Sequence, residues 1–272
     1  MENTTDLDTF YCGPRQYPDA VIGRIEPAGA RRKKRLTLTG TGAARVPRAS
    51  LQNAWGRYAD DIIHVTIGEG LSELESDVFA GLRNVRSVYF PRTLQAIFSG
   101  AFSECGKLEQ ADLPDALRYI GPGAFQGCIS LAEVTFGSSL KNIQVDAFRG
   151  CKSLNRLTFP SSVTEIGEHA FADTGVERIV LPDSLENLPK GCFSHCEKLQ
   201  EVTAGKGTSV VSDRAFNGCT ELEKLDFRPV KVLYHIHDLA FLDCNKIKTV
   251  LCREDQAALL RHHFRPEILV IS

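Results

Sequence analysis

Hydrophobic positions along this chain recur with a long, fixed period. A phenylalanine returns as Phe79, Phe102, Phe125, Phe148, Phe171, Phe193, Phe216 and Phe241, at intervals of 23, 23, 23, 23, 22, 23 and 25 residues. A small residue precedes most of them (Ala101, Ala124, Ala147, Ala170, Cys192, Ala215, Ala240), with Val78 before the first. Three positions after the phenylalanine stands Cys105, Cys128, Cys151, Cys196, Cys219 or Cys244, replaced by Leu82 and Thr174 in two copies. An aliphatic residue follows, then an apolar-x-apolar segment such as Val134-Thr135-Phe136 or Leu157-Thr158-Phe159. Pro91, Pro114, Pro160 and Pro182 close that segment. Two more aliphatic slots, such as Leu117 and Ile120 or Val163 and Ile166, lead into the next phenylalanine.

The slots predict elements. Alternation over three residues is the period of a short strand with one buried face. Proline cannot donate to a ladder and so ends the strand. The remaining slots turn the chain back over a core. One such coil cannot bury its apolar side alone, so coils must stack. At ~4.8 Å per rung, about nine coils make a curved rod roughly 40 Å long.

The consensus Ala-Phe-x-x-Cys-x-x-Leu-x-x-Val-x-Phe-Pro-x-x-Leu-x-x-Ile, best seen at 124–143 and 147–166, resembles the BspA-like (Treponema-type) leucine-rich repeats. The resemblance implies an α/β-type repeat solenoid with about 23 residues per coil and short parallel strands on a concave face. Residues 62–250 would form the solenoid, 1–61 an N-terminal β cap and 251–272 a C-terminal helix-strand cap. In the first cap, Tyr11-Cys12-Gly13 would open the segment and Val21 to Glu26 would pair with Leu36 to Thr39, ahead of Trp55. In the second, Glu254 to His262 would be a helix broken by Pro266, with a last strand over Ile268 to Ile271. The resemblance implies an adhesion or host-interaction protein of the kind found at microbial surfaces.

Composition adds little that the repeat does not absorb. Twelve of the fifteen Phe and six of the nine Cys fall in repeat slots, and the single Met is Met1. A net charge of −2 argues against a nucleic-acid binder. Residues 1–50 carry nine Lys and Arg against five Asp and Glu, with the run Arg31-Arg32-Lys33-Lys34-Arg35. That run could meet nucleic acid, an acidic membrane or an import receptor, but its place before a strand favours a solvated hairpin turn. The acidic start Met-Glu-Asn-Thr-Thr-Asp-Leu-Asp lacks the basic and apolar regions of a secretory signal. The chain as written is therefore expected in the cytoplasm, and at the cell surface or secreted if a signal precedes it. Asn3-Thr4-Thr5 is a formal glycosylation sequon.

Candidate chemistry is sparse. Six cysteines in one slot predict a buried ladder of free thiols, because parallel side chains hold their Cβ atoms too far apart for a disulfide. Cys192 and Cys196 both have packing slots, which disfavours a metal fragment around His195. His235 and His237 flank a core Ile236 and are expected toward solvent, and His262-His263 are expected in the last helix. Gly40-Thr41-Gly42 fits a turn better than a dinucleotide loop. Catalytic residues, metal ligands and cofactors are all expected to be absent. The expected binding surface is the outward row of the strands, with Tyr89, Asp112, Thr135, Arg156, Thr158 and Arg178 as its candidates. Tyr89 with Arg156 and Arg178 would supply aromatic and arginine anchors. The expected function is a monomeric, non-catalytic protein-binding module. An intracellular scaffold or effector, and a redox- or metal-responsive protein using the cysteines, are the alternatives.

Overall fold

The 23-residue period folds as one coil per repeat. The structure is a computed structural model that describes residues 8–13, 20–29, 32–45 and 55–272; the sequon at Asn3 and the first residue of the basic run, Arg31, lie outside them. The apolar-x-apolar segments are short parallel strands. Ile62–Ile67 pairs with Ser87–Tyr89, and Gln110–Asp112 with Glu133–Thr135. Arg178–Val180 continues through Glu201–Thr203 and Lys224–Asp226 to Thr249–Cys252. Single bridges Glu133↔Arg156 and Arg156↔Arg178 carry the ladder across the middle. The alternation predicted from sequence is visible directly: Gln110–Asp112 and Glu133–Thr135 each read exposed, buried, exposed.

The return path differs from expectation in two ways. It holds a second parallel ladder, running through Gly42–Ala44, Leu71–Leu74, Ala96–Ile97, Tyr119–Ile120, Asn142–Ile143 and Glu165–Ile166, then Asn187–Leu188, Val210–Val211 and His235–Ile236. It also carries no α-helix in any described coil, so the α/β label does not hold for the repeats; the one described α-helix is Glu254–Leu260. The backbone explains the missing helices. Left-handed residues stand on both sides of the repeated phenylalanine, as Asp146 (φ 55°) and Gly150 (φ 77°) around Phe148, or His169 (φ 54°) and Asp173 (φ 57°) around Phe171. A right-handed helix cannot run through such positions, so the segment is a chain of turns.

The phenylalanines stack face to face through the core. Successive rings from Phe79 to Phe241 lie 5.1 to 5.7 Å apart, and Phe125, Phe148 and Phe171 are within 3° of parallel. Trp55 takes the same place one step earlier, 5.8 Å from Phe79, and Phe264 closes the far end 5.3 Å from Phe241. The closing phenylalanines add edge-on contacts, as Phe136 to Phe148 at 5.7 Å.

The cysteine slot has a role beyond packing. Each thiol donates to the carbonyl of the phenylalanine in the preceding coil: Cys105 to Phe79 (3.3 Å), Cys128 to Phe102 (3.2 Å), Cys151 to Phe125 (3.2 Å), Cys196 to Phe171 (3.2 Å), Cys219 to Phe193 (3.1 Å) and Cys244 to Phe216 (3.0 Å). Thr174 departs from this, its hydroxyl donating to Phe171 O of its own coil at 2.9 Å. A second departure is Thr208, wholly buried where an aliphatic residue is expected, its hydroxyl donating to Leu185 O at 3.3 Å. Beside it, small Ala204 stands where Phe227 and Leu181 stand in adjacent coils, leaving an apolar cavity of about 10 Å³.

At the N-terminal end Val21–Pro27 pairs antiparallel with Lys34–Gly40, which then runs parallel to Ile62–Ile67. The basic run is therefore only partly a turn: Lys34 and Arg35 belong to the strand, Arg35 opposite Glu26, and Lys34 Nζ lies 4.9 Å over the Tyr58 ring. Gly40 (φ 137°) has no room for a Cβ, which would stand 1.9 Å from Ala20 O. At the other end, the helix Glu254–Leu260 stops short of His262-His263, which the sequence placed inside it. Pro266 opens a 3-10 turn, Pro266–Ile268, and Leu269–Ile271 pairs in parallel with Thr249–Cys252. No described helix is long and apolar enough to cross a membrane.

Candidate protein-binding surface

The period-2 alternation of the strands decides what this molecule shows to a partner. Two outward rows result, one residue per coil in each. The first runs His64, Ser87, Gln110, Glu133, Arg156, Arg178, Glu201, Lys224, Thr249, and the second Thr66, Tyr89, Asp112, Thr135, Thr158, Val180, Thr203, Asp226, Leu251.

All six residues singled out from sequence are exposed on this face. The structure brings some of them together and keeps others apart. Arg156 and Arg178 are register partners on consecutive rungs, and Asp112 faces Thr135 across another rung. Tyr89 does not join the arginines. It stands three coils from Arg156, about 14 Å at the usual rung spacing, with the Asp112 and Thr135 rungs between them. Its hydroxyl donates instead to Glu69 Oε1 at 3.1 Å, the oxygen that also accepts the Arg92 amide.

Several surface charges elsewhere are engaged. Arg228 holds Asp226 at 2.7 Å, and that side-chain hydrogen bond keeps the Asp226 carboxyl below the usual carboxylate range. Lys248 pairs with Glu223 at 2.7 Å and Lys206 with Asp183 at 2.7 Å. Such exposed pairs are worth at most about 1 kcal/mol. Neither Arg156 nor Arg178 makes an ion pair or side-chain hydrogen bond to a described residue.

Two exposed apolar side chains lie outside the six candidates. Val180, 64% exposed, stands two residues from Arg178 on the same strand face. The slot pattern puts it in the outward row, where its exposure is found. Tyr234, 73% exposed, projects from the 25-residue coil. That coil is held from below by Arg253, which donates to Val230 O at 2.5 Å, and by Gln256, which donates to Phe227 O at 2.9 Å.

Most of the thiols offer little reactivity; Cys196 departs, because its burial is outweighed by hydrogen bonds with Cys219 and Thr174, which lower its pKa. All nine are free and buried. Burial pushes Cys12 up to about 11 and Cys105 up to about 12, and raises Cys128, Cys151, Cys192 and Cys219 in the same way. A thiol held protonated is a poor nucleophile and a poor metal ligand. The histidines are dispersed by their partners: His237 Nδ1 accepts the Leu239 amide at 3.2 Å, and His263 faces Asp238 at 3.9 Å. Burial lowers the proton affinity of His263.

Among curated proteins nothing matches. Among solved structures the chain is similar to a leucine-rich repeat protein of T. pallidum, with 28% identity, a TM-score of 0.53, and 77% of this chain and 90% of that one covered. Two more distant likenesses are the pneumococcal vaccine antigen PcpA (15% identity, TM-score 0.45, 93% and 97% covered) and a leucine-rich cell surface protein of Faecalibacterium prausnitzii A2-165 (16% identity, TM-score 0.40, 86% and 87% covered). The family described as BspA type leucine rich repeat region matches residues 57–176 and 164–265, with six copies. With one stacked coil per 23 residues and a match over most of its length, the chain belongs to the BspA type leucine-rich repeat family.

Proposed function

We propose that this chain is a non-catalytic protein-binding module whose docking surface is the outward face of its parallel strands. Leucine-rich repeats are generally a protein-interaction fold, and solenoids use their extended faces in this way. The observation that carries the assignment is the unpaired Arg156 and Arg178 on consecutive rungs, with exposed Val180 beside them. Adhesion or host interaction is the finer function in view. The test is capture of a defined partner by the purified chain and by Tyr89→Ala and Arg156→Glu variants. Partner recovery unchanged by both substitutions would remove the strand face as the docking surface.

A second function, docking of an intracellular partner, is favoured by the nine free thiols, which fit a reducing compartment. Fractionation of the producing cells separates the two.

A further inference from the structure

The middle of the strand face carries a charge arrangement that folding alone does not reward. Along one row the side chains read Glu133, Arg156, Arg178, Glu201, each on the next rung of a parallel ladder. Consecutive rungs are ~4.8 Å apart, so two guanidinium-bearing residues stand side by side, an arrangement that costs stability in a sheet. The carboxylates on either side could relieve it, yet neither Glu133 nor Glu201 pairs with its neighbouring arginine. Elsewhere the chain does pair its surface charges across coils, as Lys206 with Asp183, Lys246 with Glu221 and Lys248 with Glu223. Thr158 and the 64% exposed Val180 lie in the parallel row, two residues further along the same segments. The centre of the face is thus doubly cationic and open, with an apolar neighbour and negative charge at both borders.

We propose that Arg156 and Arg178 are an anion-reading centre, and that the partner presents an extended peptide segment with an Asp or Glu side chain over the two arginines and an apolar side chain on Val180. This rests on the strand face being the docking surface and names what docks there. Two guanidinium forks on adjacent rungs suit a carboxylate, which can accept N–H bonds from both. Glu133 and Glu201 confine the acidic residue to the centre, because acidic residues further along the segment in either direction would meet like charge.

A displayed library of random linear peptides, panned on the purified chain, tests this. Selected sequences should be enriched in a single Asp or Glu next to an apolar residue. A synthetic peptide from that pool should lose about ten- to hundredfold in affinity against Arg156→Gln/Arg178→Gln, the range for a charge-assisted hydrogen bond left unmade. Changing the peptide's own Glu to Gln should cost a similar factor, and should cost almost nothing further against the double variant. Peptides that need Tyr89 or Val180 but show no acidic preference would overturn the anion-reading centre while leaving the strand face as the docking surface. Binders indifferent to Tyr89→Ala, Val180→Ser and the arginine variants alike would overturn both. A library that yields nothing captured better by the parent chain than by Arg156→Gln/Arg178→Gln also counts against the centre.

Discussion

Removing one ring from the middle of the aromatic stack should divide the solenoid. Phe148 is wholly buried, with Phe125 at 5.1 Å, Phe171 at 5.3 Å and Phe136 edge-on at 5.7 Å. Truncating a buried phenylalanine to alanine costs about 3–5 kcal/mol. Aromatic pairs are worth about 0.5–1.5 kcal/mol each beyond their area, so losing three places Phe148→Ala at the top of that range, about 5 kcal/mol. Phe148→Leu keeps most of the apolar volume and should cost about 2 kcal/mol, mainly the ring pairs. Phe241 is only partly buried and lies near the end of the stack, so Phe241→Ala should cost distinctly less than Phe148→Ala. The chain supplies its own reporter, because its single tryptophan, Trp55, sits at the N-terminal end of the stack. Urea unfolding followed by Trp55 fluorescence and by far-UV circular dichroism should coincide in the parent chain. In Phe148→Ala the two transitions should separate, since coils couple only to their neighbours. A cost below about 2 kcal/mol, or one no larger than for Phe241→Ala, would refute the idea that the rings act as one continuous element.

Other consequences are as direct. Cys151→Ala should cost about 2–3 kcal/mol in urea unfolding, and Cys151→Val less, because valine restores the volume and leaves only Phe125 O without its thiol donor. Glu104 occupies a left-handed position (φ 60°) that is glycine in Gly81, Gly127, Gly150 and Gly218, so Glu104→Gly should gain about 0.5–1 kcal/mol. Gly150→Ala should lose about 1 kcal/mol through backbone strain, since its Cβ would meet nothing closer than 3.8 Å. Thr208→Val should raise the melting temperature by a few degrees, as the buried hydroxyl beside the small cavity makes only a long 3.3 Å bond. The buried thiols set an alkaline limit. Cys12 and Cys105 titrate near 11 and 12 in the folded chain against about 9 when exposed, so their stabilisation is complete below pH 9 and is lost as pH rises toward 12. Thermal melts across that window should fall steadily, and a variant with Cys105→Ala should fall less.

The coil and its core were legible because the 23-residue spacing repeats the same slots eight times, so Phe148 or Cys151 could be placed without any propensity argument. The second ladder was not. Asn142–Ile143 and its equivalents are two residues long, too short for a period to show. The thiol-to-carbonyl bonds were invisible for another reason: side-chain patterns carry no information about where a backbone carbonyl points. The left-handed column was half visible in Gly81, Gly127, Gly150 and Gly218, and masked by Glu104, Asp173, His195 and Asp243. On the strand face, Arg156 and Arg178 were correctly seen as slot equivalents. Tyr89 pairs with them in the sequence only by residue type, as an aromatic anchor beside arginine anchors, and residue type carries no distance along the face.

The amide hydrogen bonds of the phenylalanine turns have a direction, and it bears on how the chain comes to be made. From Phe79 to Phe216 the phenylalanine amide donates to the following coil, as Phe102 N to Ala124 O at 2.7 Å, and in all of these but Phe148 its carbonyl receives the thiol of that same following coil. During synthesis from the N-terminus, every newly emerged coil therefore carries an unfinished phenylalanine peptide until the next one arrives. Premature termination at any coil boundary leaves that apolar row open, a sticky end on an otherwise native stub. Loss of coils from the front instead strands a carbonyl and a thiol, and opens the opposite face of the same ring stack. Shortening this chain from either end should thus promote self-association, with unpaired amides at one new edge and unpaired carbonyls and thiols at the other.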